Sequence, residues 1–431
     1  FLDPDPDPAT TWEERKRVFD LGRSSWQDYD TSLISKGGGV FSRQSKSIAL
    51  SPEIQELLGV TKSKATPQEV INAILKMNVD LLWFGGIGTY IKAATESSAD
   101  VGDRANDPVR VNARDLRVRV IGEGANLGLT QAGRIEFALN GGRLNSDAID
   151  NSAGVDSSDH EVNIKILCSE AIRLGNLAHG ERNSLLASMT DDVADHVLAH
   201  NYSQTGALTL ASSTAARDHE ANERLMCYLE TRGVLDRDVE GLPHTSEMHE
   251  RAENRQWLTR PELAVLMAWS KITLFDDLVE SEVPDDPWFT DTLEAYFPDA
   301  LKQYEEAMQG HRLKREIIAT VLANRLIDAG GPLLLLRLIE RTNASNPDIC
   351  RAFESARHLL DHAGFRASIH ALDNKVSAGI QTELQQIGAD AVMETAAAML
   401  RHAAGLTIGD AVERFGGAFQ ALDKHLADKL S

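Results

Sequence analysis

The pattern of apolar and polar positions changes character near residue 175. Before that point short apolar runs alternate with helical periods and glycine clusters, which predicts βαβ units around a parallel sheet; after it, strand signals almost vanish. Ser51-Pro52-Glu53 predicts a helix start with serine as N-cap and proline in the first turn. Thr66-Pro67-Gln68-Glu69 reads as a capping box leading into EVINAILKMN. Residues 79–84 (VDLLWF) form a nearly continuous apolar run that stops at Gly85-Gly86, the pattern of a strand buried on both faces. Residues 117–121 (RVRVI) predict a second strand running into Gly122, and a third short strand is expected within residues 143–149.

Beyond residue 175 the period is helical. Thr259-Arg260-Pro261-Glu262 is another capping box, and Leu263, Leu266, Met267, Ser270 and Leu274 follow at helical spacing on one face. EIIATVLANRLIDAGG repeats the period until Gly330-Gly331-Pro332 breaks it before LLLLRLIERT. Ala-rich helices are expected to continue to Leu430, without an internal repeat. The expected organisation is an α/β domain with a parallel sheet over residues 1–175, then an all-α domain over residues 176–431.

Composition narrows the partners. A net charge of −21 over 431 residues repels phosphate backbones and anionic bilayers, so neither nucleic acid nor a membrane is expected as a partner. No apolar run approaches the roughly 18 residues needed to span a bilayer. Cys168, Cys227 and Cys350 are far apart in apolar, helix-like stretches, which predicts buried free thiols and a reducing, cytoplasmic setting. The start, FLDPDPDPATTW, has no basic region of a signal peptide and no initiator methionine, and it reads as a chain cut within a domain.

The chemistry-bearing segments lie where strands end. Gly85-Gly86-Ile87-Gly88-Thr89 follows the first apolar strand and Gly122-Glu123-Gly124-Ala125-Asn126 the second, positions at which an open α/β sheet admits ligands; a simple tight turn is the alternative for each. VIGEGANLG matches a phosphate-binding glycine fingerprint only in part, because its spacing is Gly-x-Gly-x-x-x-Gly and the helix after it is short. NSAGVDSSDHEVN, from Asn151, reads as a loop of small and polar residues running into a helix. Its Ser, Asp and His are too close in sequence for a hydrolytic triad. Capping and solvation account for Asp156, Asp159, His160 and Glu161 without a metal. His196 and His200 have metal-sharing i, i+4 spacing, but Val197 stands where a zinc protease carries glutamate, so they read as helix-face histidines and no metal is expected. Ser35-Lys36-Gly37-Gly38-Gly39 lacks the order of a Walker loop.

With these segments in order, the chain resembles the C-terminal part of the large bacterial NAD-dependent glutamate dehydrogenases. The resemblance runs through DYDTSLISKGGGVFSR, LLWFGGIGTYIKA, VIGEGANLG, LNSDAIDNSAGVDSSDHEVNIKI, LTRPELAVL and HRLKREIIATVLANRL. It implies that residues 1–175 are the later part of a Rossmann-like NAD-binding domain. It also implies oxidative deamination of L-glutamate to 2-oxoglutarate and ammonia with NAD as cofactor, in a homo-oligomer. By the same resemblance Gly85, Gly86, Gly124, Asn126 and Asn151 contact the cofactor, Asn151 holding its carboxamide, while Val155 and Ser158 line the glutamate site. The family's catalytic lysine and aspartate and its glycine fingerprint are expected upstream of Phe1, so no catalytic residue is expected within the chain. Phe84 departs from the family pattern, standing where a smaller or polar side chain is expected. The alternatives are a non-catalytic nucleotide-binding or helical interaction module, and a dehydrogenase of another amino acid.

Overall fold

The computed structural model describes residues 1–86 and 88–430. The chain forms two compact units, Phe1–Asp147 and Ala148–Ser431.

In the first unit the capping signals act as their chemistry requires. The Ser51 side chain accepts the Ile54 N–H at the start of Pro52–Leu58, which ends at Gly59 in the left-handed region (φ 67°). Thr66 and Glu69 exchange both capping-box hydrogen bonds ahead of Pro67–Leu75. Leu81–Phe84 pairs in parallel with Val120–Glu123, Leu81 opposite Val120 and Phe84 opposite Glu123. A second parallel pair joins Ile91–Lys92 to Val111–Asn112, and a short antiparallel pair joins Ile48–Ala49 to Lys64–Ala65. Single parallel bridges add Arg143 beside Val120 and Leu129 beside Ile91. Phe84, Ile91, Val111, Ile121, Leu129 and Phe137 fill the core beneath these strands.

Three expectations change. The first strand is buried on one face only: Phe84 is enclosed, whereas Leu81 and Trp83 are 54% and 60% exposed. Side chains alternate across a pleat, so an unbroken apolar run cannot reveal whether both faces are covered. The second strand starts at Val120 rather than Arg117, because its ladder partner begins only at Leu81. The third contributes one bridge, at Arg143, and the chain then turns into the helical turn Asp147–Asp150. There the Asp147 carboxylate reaches back to the Leu127 N–H (2.8 Å) and to Arg134 (3.1 Å), contacts that bend the chain away from a ladder.

The second unit is helical. Leu263, Leu266, Met267 and Leu274 are buried as one face of Arg260–Val279, and the Ser270 hydroxyl among them donates to the Leu266 carbonyl. Glu262 closes the capping box with Thr259 and, fully buried, also pairs with Arg251 at 2.6 Å. Lys314–Gly330 packs against this helix, ends at Gly331 (φ 78°), and the chain bends by 89° into Leu333–Thr342. Among the described residues no single helix is long and apolar enough to cross a membrane, and the leucines of this bent pair are core residues. Cys168 and Cys350 are buried free thiols, and burial pushes the Cys350 thiol up. Cys227, expected to be buried, is exposed on the His219–Thr231 helix, where Arg237 donates to its sulfur. An amphipathic helix offers a cysteine either side, and only packing selects it.

Candidate functional site

Parallel pairing sends the chain out of Phe84 and out of Glu123 at the same edge of the sheet, so the Gly85-Gly86 loop and the Glu123–Leu129 loop leave side by side. Gly85 and Gly86 are exposed, and a methyl group at Gly86 would meet no atom within 4 Å. Ile87 lies outside the described residues. Gly88 (φ 93°) is pressed against Asn106 and Asp103, and the Thr89 N–H donates to Asp103 at 2.8 Å.

The glycines of VIGEGANLG have a local reason to lack side chains. A Cβ at Gly122 or Gly124 would sit 2.5 Å from the Trp83 ring, and one at Gly128 would sit 2.9 Å from the Phe84 ring. Two of the three therefore make room for the indole of the neighbouring strand. Phe84 points to the opposite face, stacked on Tyr90 at 6.2 Å between centroids, so Trp83 and not Phe84 shapes the exposed face. Gly124→Ala is expected to displace the indole and to cost about 1 kcal/mol, the low end for overpacking, because Trp83 has solvent to move into. A double-mutant cycle on unfolding free energy should give the same alanine no cost in a Trp83→Ala background; an equal cost in both would break the link.

Asn126 is exposed on a loop whose base is buried. Arg134, from the helix Gln131–Leu139, grips Glu123 with two hydrogen bonds of 2.7 and 2.9 Å and pairs with Asp147 at 3.1 Å. Glu123 accepts the Leu129 N–H, Asp147 accepts the Leu127 N–H, and Leu127 is held at φ 60°. Burial lowers the basicity of Arg134, but Glu123 and Asp147 outweigh it and hold the guanidinium above its ordinary value. Sequence reading missed this triad. Its one signal was a charged residue set among the apolar positions of GRIEFAL.

In the second unit NSAGVDSSDHEVN is no loop: the helix Ser152–Arg173 begins directly after Asn151. Serine hydroxyls that suggested irregular backbone instead donate to carbonyls one turn back, Ser157 to Ala153 (2.7 Å) and Ser158 to Gly154 (3.2 Å). Asn201 fastens the helix start, donating to the Ile149 carbonyl and the Ser152 hydroxyl at 2.9 and 2.8 Å. A Cβ at Gly154 would lie 2.9 Å from the Asn151 amide oxygen, so this glycine leaves the amide its space. Asn151, Val155 and Ser158 fall at i, i+4 and i+7, one stripe of the helix, with Val155 and Ser158 exposed.

Asp156 and His160 lie on a different face of the same helix. There the structure joins two segments that sequence reading kept apart: the Asp156 carboxylate meets His200 Nδ1 at 2.7 Å and His160 Nε2 at 3.7 Å. Burial raises the Asp156 carboxyl, yet the hydrogen bond from His200 carries it below its usual value. His160 is fully buried, stacked on Tyr296 at 4.4 Å, and burial pulls it down to about 4.

Comparison with known proteins accounts for most of the chain. Residues 1–211 match the model of the bacterial NAD-glutamate dehydrogenase catalytic domain, and residues 255–431 match that of the glutamate dehydrogenase C-terminal region. The NAD-specific glutamate dehydrogenase of Halomonas elongata is 44% identical over 431 residues, all of this chain and 27% of that protein. The Pseudomonas aeruginosa enzyme of the same name is 48% identical over 385 residues (89% of this chain, 24% of that protein), and the Mycobacterium tuberculosis enzyme 48% over 360 residues (82% and 22%). The chain spans about a quarter of the length of these relatives. Two adjacent family matches in the expected order and this level of identity show that the chain belongs to the bacterial NAD-specific glutamate dehydrogenase family.

Proposed function

We propose that the chain supplies cofactor- and substrate-contacting surfaces for the NAD-dependent oxidative deamination of L-glutamate to 2-oxoglutarate and ammonia. The observation that carries this reading is the parallel pair whose two loops leave one strand edge, with Asn126 exposed on a loop clamped from below by Glu123, Arg134 and Asp147. Strands 81–84 and 120–123, the helix Gln131–Leu139 and the bridge at Arg143 support a Rossmann-like reading of this region. On that reading the nucleotide-binding part runs through residue 175, so that it includes the helix of Asn151, Val155 and Ser158, and residues 176–431 form the helical part. The free cysteines support a reducing, cytoplasmic setting, and the homo-oligomer is taken from the family.

The residues present fit NAD: the backbone at Gly86 is open to close approach, and Asn126 offers an amide on the same strand edge. When bound, NAD supplies the hydride acceptor. Gly85, Gly86 and Gly124 would let the cofactor pass close to the backbone, and Asn126 would hydrogen-bond its ribose half. The Asn151 amide both donates and accepts, which suits it to fix a carboxamide and with it the ring face presented to the substrate. Val155 would give an apolar wall to the glutamate side chain's methylenes, and the Ser158 hydroxyl, three residues on, a polar contact. None of the chain's own residues is assigned to proton transfer.

The test is Asn151→Ala in the enzyme, with NADH formation from L-glutamate as readout. Losing the amide should cost on the order of 1–3 kcal/mol of productive cofactor placement, roughly a 5- to 150-fold drop in kcat/KM. Kinetics unchanged for both NAD and glutamate would overturn the assignment.

A further inference from the structure

We propose that Asp156, His160 and His200 form a binding site for one divalent transition-metal ion of the Zn2+ class, clamping the helix Ser152–Arg173 to the helix Thr190–Ser213. Each residue offers one ligand atom, and the three atoms all lie within 4.8 Å of one another. Zinc bonds of 2.0–2.1 Å at a tetrahedral angle put neighbouring ligand atoms about 3.3 Å apart. The observed 3.7 Å from Asp156 Oδ1 to His160 Nε2 and 2.7 Å from Asp156 Oδ2 to His200 Nδ1 bracket that value. The two distances run to the two oxygens of one carboxylate, and His200 is half-exposed, so its ring has room to adjust.

The second observation is the state of His160. Its ring is completely buried, and neither Nδ1 nor Nε2 has a hydrogen-bond partner. A buried polar atom left unsatisfied is costly, and a metal at Nε2 satisfies that nitrogen. The ring is already aimed: it stacks on Tyr296, whose hydroxyl accepts from Asn163 Nδ2 at 2.8 Å. His160 is also held neutral by burial, the form in which imidazole ligates.

The donor set selects the ion. Two imidazoles and one carboxylate suit zinc, cobalt or nickel and not magnesium or calcium, which take oxygen donors. Three protein ligands leave a fourth position for water, and half-exposed His200 provides the way in. His196, with its ring 5.7 Å from that of His160, stands beside the set without belonging to it. From their i, i+4 spacing His196 and His200 read as helix-face histidines with no metal; of the two only His200 belongs to the proposed set, and Asp156 and His160 come from another helix.

The test is titration of tag-free, chelator-stripped protein with Co2+, read by visible absorption, and with Zn2+ by competition. One equivalent is expected to bind saturably and to raise the Tm. His200→Ala, an exposed position that leaves the core intact, and Asp156→Asn should each weaken binding at least about tenfold. His160→Phe, which keeps the stack on Tyr296, should abolish it, with circular dichroism confirming the fold. No saturable binding near one equivalent, or binding that His200→Ala and Asp156→Asn both leave unchanged, overturns the proposal.

Discussion

Replacing Arg134 with alanine should remove about 3–5 kcal/mol of stability, the loss expected when one partner of a buried ion pair is deleted and the other stays. Glu123 is 1% exposed and would keep a buried carboxylate after losing both hydrogen bonds from the guanidinium. Asp147 would lose its contact with the guanidinium as well. The same substitution should loosen the loop that presents Asn126, because Leu127 and Leu129 are tied to the two carboxylates. Glu123→Gln together with Arg134→Met should recover most of the loss, since both charges leave together and glutamine still accepts from Leu129. Urea unfolding monitored by circular dichroism measures both variants. A loss below about 1 kcal/mol for Arg134→Ala would mean that solvent reaches the pair and that the loop is fixed by something else.

The second large effect is a loss of stability on mild acidification, measured with chelator present. His160 and His362 are both pulled from the ordinary 6.5 down to about 4, in each case mainly by burial. Around His160 stand Asp156, His196, His200 and Tyr296; Arg366 and Arg357 add their repulsion at His362. Below pH 6.5 the unfolded chain takes up protons that the folded chain refuses, so stability is full above that pH and falls until about pH 4. At 1.36 kcal/mol per unit, each histidine accounts for up to about 3 kcal/mol. The carboxylates act lower: Glu14, held to about 2 by Arg17, and Glu69, held to about 2 by Lys62, lose their contribution only below pH 4.5. Denaturant midpoints at pH 7, 5.5 and 4.5 should therefore fall steeply in the native protein and less so in His160→Phe and His362→Phe. A slope that neither variant flattens would place the acid sensitivity elsewhere.

How much of this was legible in the residues depends on the range over which each feature is decided. The capping boxes at Thr66 and Thr259 and the buried stripe from Leu263 to Leu274 were readable, because a cap needs four residues and a stripe needs only the helical period. The glycine loops after Phe84 and after Glu123 were readable as strand ends. Their glycines were not readable as space for Trp83, since that requires knowing which residue lies across the ladder. NSAGVDSSDHEVN misled for a different reason. Serine and aspartate favour irregular backbone when they bond to it locally, yet here the hydroxyls back-bond along a helix that Asn201 fastens from a distant position.

By itself, then, the sequence determined the alternation of short strands and helices in the first unit, the helical remainder and the family. Each follows from local periodicity or from motifs read in order along the chain. Only the tertiary structure decided which face of the first strand stays open, that Glu123, Arg134 and Asp147 close under the Asn126 loop, and that Asp156 and His160 meet His200. Those outcomes depend on long-range pairing: a charge becomes a buried ion pair, and a histidine a ligand, only once another element excludes water from it.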